Sequence, residues 1–155
     1  MGPVAGAAFS AWSAPEAEER AAALRLPLVW PERSPAPVPA VMRAAVYACE
    51  DGAVRRFALA AFRLAFCGGY DLDHPEVLRE LAAATGIPGA GCLQAADDPG
   101  RDQALELGAR SLRRRGVQRL PVFRIDGRLF EGEPALVGAA LHPASGRPAP
   151  VAHPA

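Results

Sequence analysis

The stretch Val117-Gln118-Arg119-Leu120-Pro121-Val122-Phe123-Arg124-Ile125-Asp126-Gly127-Arg128-Leu129-Phe130-Glu131-Gly132 decides the fold. Asp-Gly between two short apolar runs is the strongest local signal for a two-residue hairpin, because both positions tolerate the positive φ that a tight turn needs. Pro121 to Ile125 and Arg128 to Phe130 therefore read as two antiparallel strands. Proline lacks an N–H and so sits at the first position of a strand. Upstream, Gly116 ends a helix; downstream, Glu133-Pro134 opens a last short helix from Ala135 to Leu141.

Working back towards the amino terminus, the periodicity turns helical. A helix starting near Asp98-Pro99 carries Leu105, Ala109 and Leu112 on one stripe, which predicts their burial, and Arg113 to Arg115 in its last turn. Asp97-Asp98 is a cap. Asp73 is predicted to cap another helix, with Pro75 in its first turn, Glu76 completing a capping-box-like pair, and Gly86 then Pro88 as its stop. Ala53 to Phe66 forms a helix with Phe57, Ala61, Leu64 and Ala65 on one face, ended by Cys67-Gly68-Gly69. Val41 to Glu50 forms the one before, broken by Asp51-Gly52. The prolines 31, 35, 37 and 39 forbid regular structure in the loop that precedes it. Pro15 opens a helix running to Leu24, and Leu26 to Trp30 is a brief extended piece. Val4 to Phe9 is compatible with one short buried strand, and His142 to Ala155, rich in Pro and Ala, reads as disordered.

The whole chain is 155 residues, half of them hydrophobic and 22% charged, which is the composition of a globular protein. Seventeen bases, all arginine, balance seventeen acids, so no positive field collects nucleic acid or an anionic membrane. The apolar stretches are too short to span a bilayer, and the start has neither a basic region nor a long enough core for export. Cys49, Cys67 and Cys92 match neither a disulfide framework nor a zinc site, and they suit a reducing cytoplasm. No metal ligand set is present and no Cys-x-x-Cys occurs, which leaves two-cysteine redox chemistry without its residues. Cys67 and His74 read as helix-end packing and solvent-facing polarity rather than as nucleophile and base. Trp30, Phe57, Phe62, Phe66 and Phe130 read as core, with an aromatic substrate pocket between the two subdomains as the alternative.

The segment Val117 to Gly132 resembles the C-terminal half of a thioredoxin-like domain, in which a cis proline opens a core strand and exposes the preceding backbone to a thiol-bearing ligand. Leu26-Pro27-Leu28-Val29-Trp30-Pro31, Met42-Arg43-Ala44-Ala45 and Arg56-Phe57-Ala58-Leu59-Ala60-Ala61-Phe62-Arg63 extend the likeness. Together they resemble the DsbA-like proteins of the 2-hydroxychromene-2-carboxylate isomerase and kappa-class glutathione transferase group, over roughly residues 3 to 141. The resemblance implies an α/β thioredoxin-like fold with an inserted helical domain: residues 1–14 a remnant of the βαβ half, 15–116 the insertion, 117–141 the ββα half, and 142–155 a tail. In that alignment the sequence starts near the family's second strand, so the first strand and helix of the thioredoxin core, with the nucleophile position, have no counterpart.

What the resemblance implies for function is a glutathione-linked isomerase acting on a small aromatic substrate, with Leu120 and Pro121 presenting backbone to the tripeptide and the nucleophile unassigned. Glu133 is the residue available to the α-ammonium of glutathione, at a place where the family carries Ser or Gln followed by Asp. Pro37 and Arg119 stand where the family has a polar residue and a glycine. The alternative is a non-catalytic thioredoxin-like module that covers its open sheet edge by forming a homodimer. A disulfide oxidoreductase is the third reading, disfavoured by the missing Cys-x-x-Cys.

Overall fold

A computed structural model of the chain describes residues 13–32, 37–133, 135, 138 and 141. The chain divides into two compact units, Ser13–Ser111 and a second whose described part begins at Leu112. The α-helices and strands fully contained in the described residues are α1 (Ala14–Ala23), α2 (Pro39–Glu50), α3 (Val54–Gly68), α4 (Pro75–Thr85), α5 (Gly89–Ala96), α6 (Asp102–Arg114), β1 (Val122–Ile125) and β2 (Arg128–Glu131). The described residues are thus mostly helical with a small antiparallel sheet.

In the first unit, α2 packs against α3 and α5, and α4 packs against α3 and α5. The core they share holds Val41, Ala44 and Ala48 from α2, Phe57 and Ala61 from α3, Leu78, Leu81 and Ala82 from α4, and Cys92 and Ala96 from α5. Alanine at the buried positions of α2 lets the helix axes come close. Gly91 serves the same end, since a Cβ there would stand 2.7 Å from Tyr47 Cζ.

Local chemistry explains most of the boundaries. Pro15 lies in the first turn of α1, and the Glu16 carboxylate accepts the Ser13 N–H at 2.7 Å and the Ser13 hydroxyl at 2.6 Å. Those two bonds hold the Glu16 carboxyl below its ordinary value. Pro39, expected to exclude regular structure, instead supplies the first turn of α2, where a missing N–H costs nothing. Gly69 ends α3 at φ +72, and a Cβ there would come within 2.9 Å of Val29 Cγ1. The segment between α1 and α2 is fastened by the Val29 N–H to the Phe66 carbonyl at 2.7 Å and by the Trp30 indole N–H to Glu18 at 2.7 Å.

Four expectations need correction. The N-cap of α4 is His74, whose Nδ1 accepts the Glu76 N–H, and not Asp73. Asp73 accepts the Val41 N–H at 3.0 Å, so it serves the first turn of α2 across space. Residues 89–96, which lie between two expected helices and carry no helix signal of their own, form α5. The last helix begins at Asp102 after a 3-10 turn, Pro99–Arg101, on which Asp98 accepts the Gly100 N–H at 2.9 Å. Leu105, Ala109 and Leu112 are half-buried on α6, which has no fully buried residue. The strand read at Val4 to Phe9 and the tail from His142 lie outside the described residues. Of the short helix read at Ala135 to Leu141, only residues 135, 138 and 141 are described, each helical.

Arg43 joins α2 to the start of α6, with Nε and one terminal nitrogen each donating to an Asp102 carboxylate oxygen at 2.8 Å. This paired contact lowers the Asp102 carboxyl below its ordinary range and raises Arg43 further. A carboxylate whose native pKa is depressed contributes stability that is complete above its unfolded value and is lost as pH falls through the native one. The gap between thermal melts of the wild type and of Asp102→Asn should therefore narrow as the pH is lowered from neutral into the acidic range where the native Asp102 carboxyl takes up its proton. A gap between them that persists or widens there contradicts the assignment.

Candidate functional site

The hairpin folds as its sequence requires. Val122 pairs with Glu131, Phe123 with Phe130, Arg124 with Leu129 and Ile125 with Arg128. Asp126 at φ 47 and Gly127 at φ 81 form the two-residue turn with positive φ at both positions. The Leu120–Pro121 peptide bond is cis, as the resemblance implied.

The loop that leads into β1 is fixed to the far end of β2 from two sides. Glu131 turns its carboxylate back so that Oε2 accepts the Gln118 N–H at 3.0 Å and the Arg119 N–H at 3.2 Å. On the other side the Gly132 N–H donates to the Pro121 carbonyl at 2.7 Å. Leu120 lies between these anchors, 42% exposed. The register brings the expected residues into one locality: Leu120 and Pro121 at the start of β1, and Glu133, half-buried, directly after Gly132. Glu133 already engages a partner in the fold. Glu131, which the sequence reading passed over, is the residue that holds this locality together. Its signal was the hairpin register itself, which sets position 131 opposite 122.

The model of the DSBA-like thioredoxin domain matches residues 14–141. The chain belongs to that family. Comparison with curated proteins finds no match. As a DsbA-like protein it falls in a group of thiol-disulfide oxidoreductases and isomerases.

The cysteines of this DsbA-like chain do not converge. Cys49 and Cys67 are exposed at the ends of α2 and α3, and Cys92 is buried in α5, where burial pushes its thiol up and keeps it protonated. The Cys67 thiol faces the Pro27 carbonyl at 4.0 Å, whereas the His74 ring accepts from Glu76, so each engages a different group. Among the described residues no cluster of His, Cys, Asp and Glu could hold a metal ion, and no helix is long and apolar enough to cross a membrane.

The aromatic residues divide. Phe57 is core, as expected, and Trp30, Phe66 and Phe130 are half-buried, but Phe62 is 61% exposed. Phe62 stacks on Phe66 one helical turn away, with ring centroids 6.2 Å apart, and Trp30 meets Phe66 edge-on at 5.9 Å. The reason is a cavity of about 350 Å³ within the first unit, between α2 and α3. Val41, Phe57 and Ala61 close its floor; Met42, Phe62 and Tyr70 form its exposed lip.

Proposed function

We propose that this DsbA-like protein is a glutathione-linked isomerase: the loop Arg119-Leu120-Pro121 binds the tripeptide, and a small aromatic compound is the substrate. The observation that carries the reading is the fixing of that loop by Glu131 and Gly132 with Leu120 exposed between them. A loop held in place before ligand arrives loses little conformational entropy on binding an extended peptide-like molecule. The charges present suit a zwitterionic tripeptide. Arg119, exposed on one side of Leu120, offers a guanidinium to a carboxylate, and Glu133, on the other side of Pro121, offers a carboxylate to the α-ammonium. Bound there, glutathione supplies a sulfur nucleophile. The protein's own part is to orient the tripeptide. Two-thiol exchange has less support, because the 155 residues hold no Cys-x-x-Cys pair and one of the three cysteines is buried.

Retention on immobilised glutathione tests the reading. The wild type should be held and then released by free reduced glutathione. Glu131→Ala frees two backbone N–H groups and slackens the loop, a loss of about 1–3 kcal/mol of local order, and should pass through far less retarded. Wild type in the flow-through, or retention that free glutathione does not reverse, sinks the proposal.

A further inference from the structure

We propose that the part of the chain from Leu112 onward binds a single-stranded nucleic acid through its arginines and the exposed ring of Phe123. This goes beyond the isomerase reading and does not depend on it. The charges of the chain balance as a whole, but they are divided unevenly along it: residues 1–111 hold ten arginines and fourteen acids, and residues 112–155 hold seven arginines and three acids. The zero is thus the sum of an acidic part and a basic one. The basic part is the second unit, whose described residues begin at Leu112.

The arginines of that unit are uncompensated. In the first unit Arg43, Arg79, Arg101 and Arg110 each pair with a carboxylate. Among the described residues Arg113, Arg114, Arg115, Arg119 and Arg124 make no ion pair. The three acids near them are occupied: Glu131 accepts two backbone N–H groups, and Asp126 and Glu133 each have a partner. The residues outside the described set include no Asp or Glu, so no side chain among them can neutralise this surface.

Position adds to charge. Arg113 to Arg115 lie at the end of α6, where the negative end of the helix alone favours them; Arg119, on the loop before Pro121, and Arg124, in β1, have no helix end to answer. Arg114, Arg115, Arg119, Arg124 and Arg128 are all exposed. The hairpin register places Phe123, Ile125, Arg128 and Phe130 on one face. Phe123 is 40% exposed there, and the Arg128 guanidinium lies 5.8 Å from the centroid of the Phe130 ring. An exposed ring among arginines offers a base a stacking surface and its phosphates a countercharge, which is how single strands are held without regard to sequence. An acidic peptide would use the charge but brings no base to stack, so the ring favours nucleic acid.

Fluorescence anisotropy of a labelled oligothymidylate of about twelve nucleotides, titrated with the full chain at about 50 mM salt, tests the proposal. Saturable binding is expected, and the logarithm of the association constant should fall with the logarithm of salt concentration at a slope of about −2 to −3, the value for about three to four phosphates on a single strand. Arg114→Glu combined with Arg115→Glu should weaken binding by about ten-fold or more. The matched control is Arg55→Glu with Arg63→Glu on α3, where both side chains are exposed and make no ion pair among the described residues; it should change affinity by less than about three-fold. Phe123→Leu keeps an apolar side chain on the strand, removes the ring and should cost about five-fold or more. Absence of saturable binding, a slope flatter than about −1, or equal losses from the two double variants overturns the proposal. So does unchanged affinity in Phe123→Leu, or equal affinity for a poly-aspartate of the same length, since either result makes the partner an acidic protein segment. Should the Arg114, Arg115 variant fail to fold, the wild-type slope and Phe123→Leu decide. Oligothymidylate binding by a chain that immobilised glutathione does not retain would keep this site and remove the isomerase reading alone.

Discussion

Phe57→Ala is expected to lower the unfolding free energy by about 3–5 kcal/mol, the range for removing a buried phenyl ring. Phe57 is the largest fully enclosed side chain among the described residues, 1% exposed, and it belongs to the cluster shared by α2, α3, α4 and α5. Its neighbours there include Ala44, Ala48, Ala61 and Ala82. Alanines have no rotamers with which to refill the space, so the lost transfer energy is joined by the cost of a persistent void. The same ring closes the floor of the cavity between α2 and α3. Denaturant titration followed by far-ultraviolet circular dichroism checks the effect. A loss within about 0.5 kcal/mol, the range for a surface site, would show that Phe57 is not at the centre of the core.

Leu81→Ala should cost about 2–5 kcal/mol. Leu81 is 0% exposed in the middle of α4, the helix that packs against both α3 and α5. Its deletion takes contacts from two interfaces at once. Leu107→Ala on α6, a change of the same chemistry at a side chain 57% exposed, is the matched control and should stay within about 0.5 kcal/mol of the wild type. Equal losses for the two would contradict the placement of the core on α4.

Where sequence and structure agree, the signal was local. Asp126-Gly127 specified the turn because its two residues accept positive φ, and the turn then set the pairing of Val122 with Glu131. Proline in the first turn and glycine at the end marked α4, and Gly69 marked the end of α3. The misses share a different cause. Residues 89–96 include Gly89 and Gly91, poor helix formers that directly follow Pro88, so propensity argued against a helix. What makes α5 is tertiary: Cys92, Ala95 and Ala96 are all buried, and packing on α2 and α4 overrides the local preference. Asp73 looked like a cap for the helix beside it, yet bonds Val41, 32 positions away in the sequence. Arg43 and Asp102 are farther apart still, and no spacing rule joins them. Phe62 has the periodicity of its buried neighbours but falls on the edge of the stripe, at the lip of the cavity.

At the candidate site, Leu120, Pro121 and Glu133 are what the resemblance implies, whereas the backbone contacts of Glu131 follow from the register. A carboxylate in the last position of a strand is ordinary until the hairpin shows which backbone N–H groups stand opposite it.

Whether the loop before Pro121 binds the tripeptide is tested by titrating the isotopically labelled protein with reduced glutathione and recording amide correlation spectra. Saturable shifts are expected at the amides of Arg119, Leu120, Gly132 and Glu133, which surround Pro121, and their loss is expected in Glu131→Ala. Spectra in which those four amides stay still while glutathione saturates other residues, or in which nothing moves, would contradict binding at that loop.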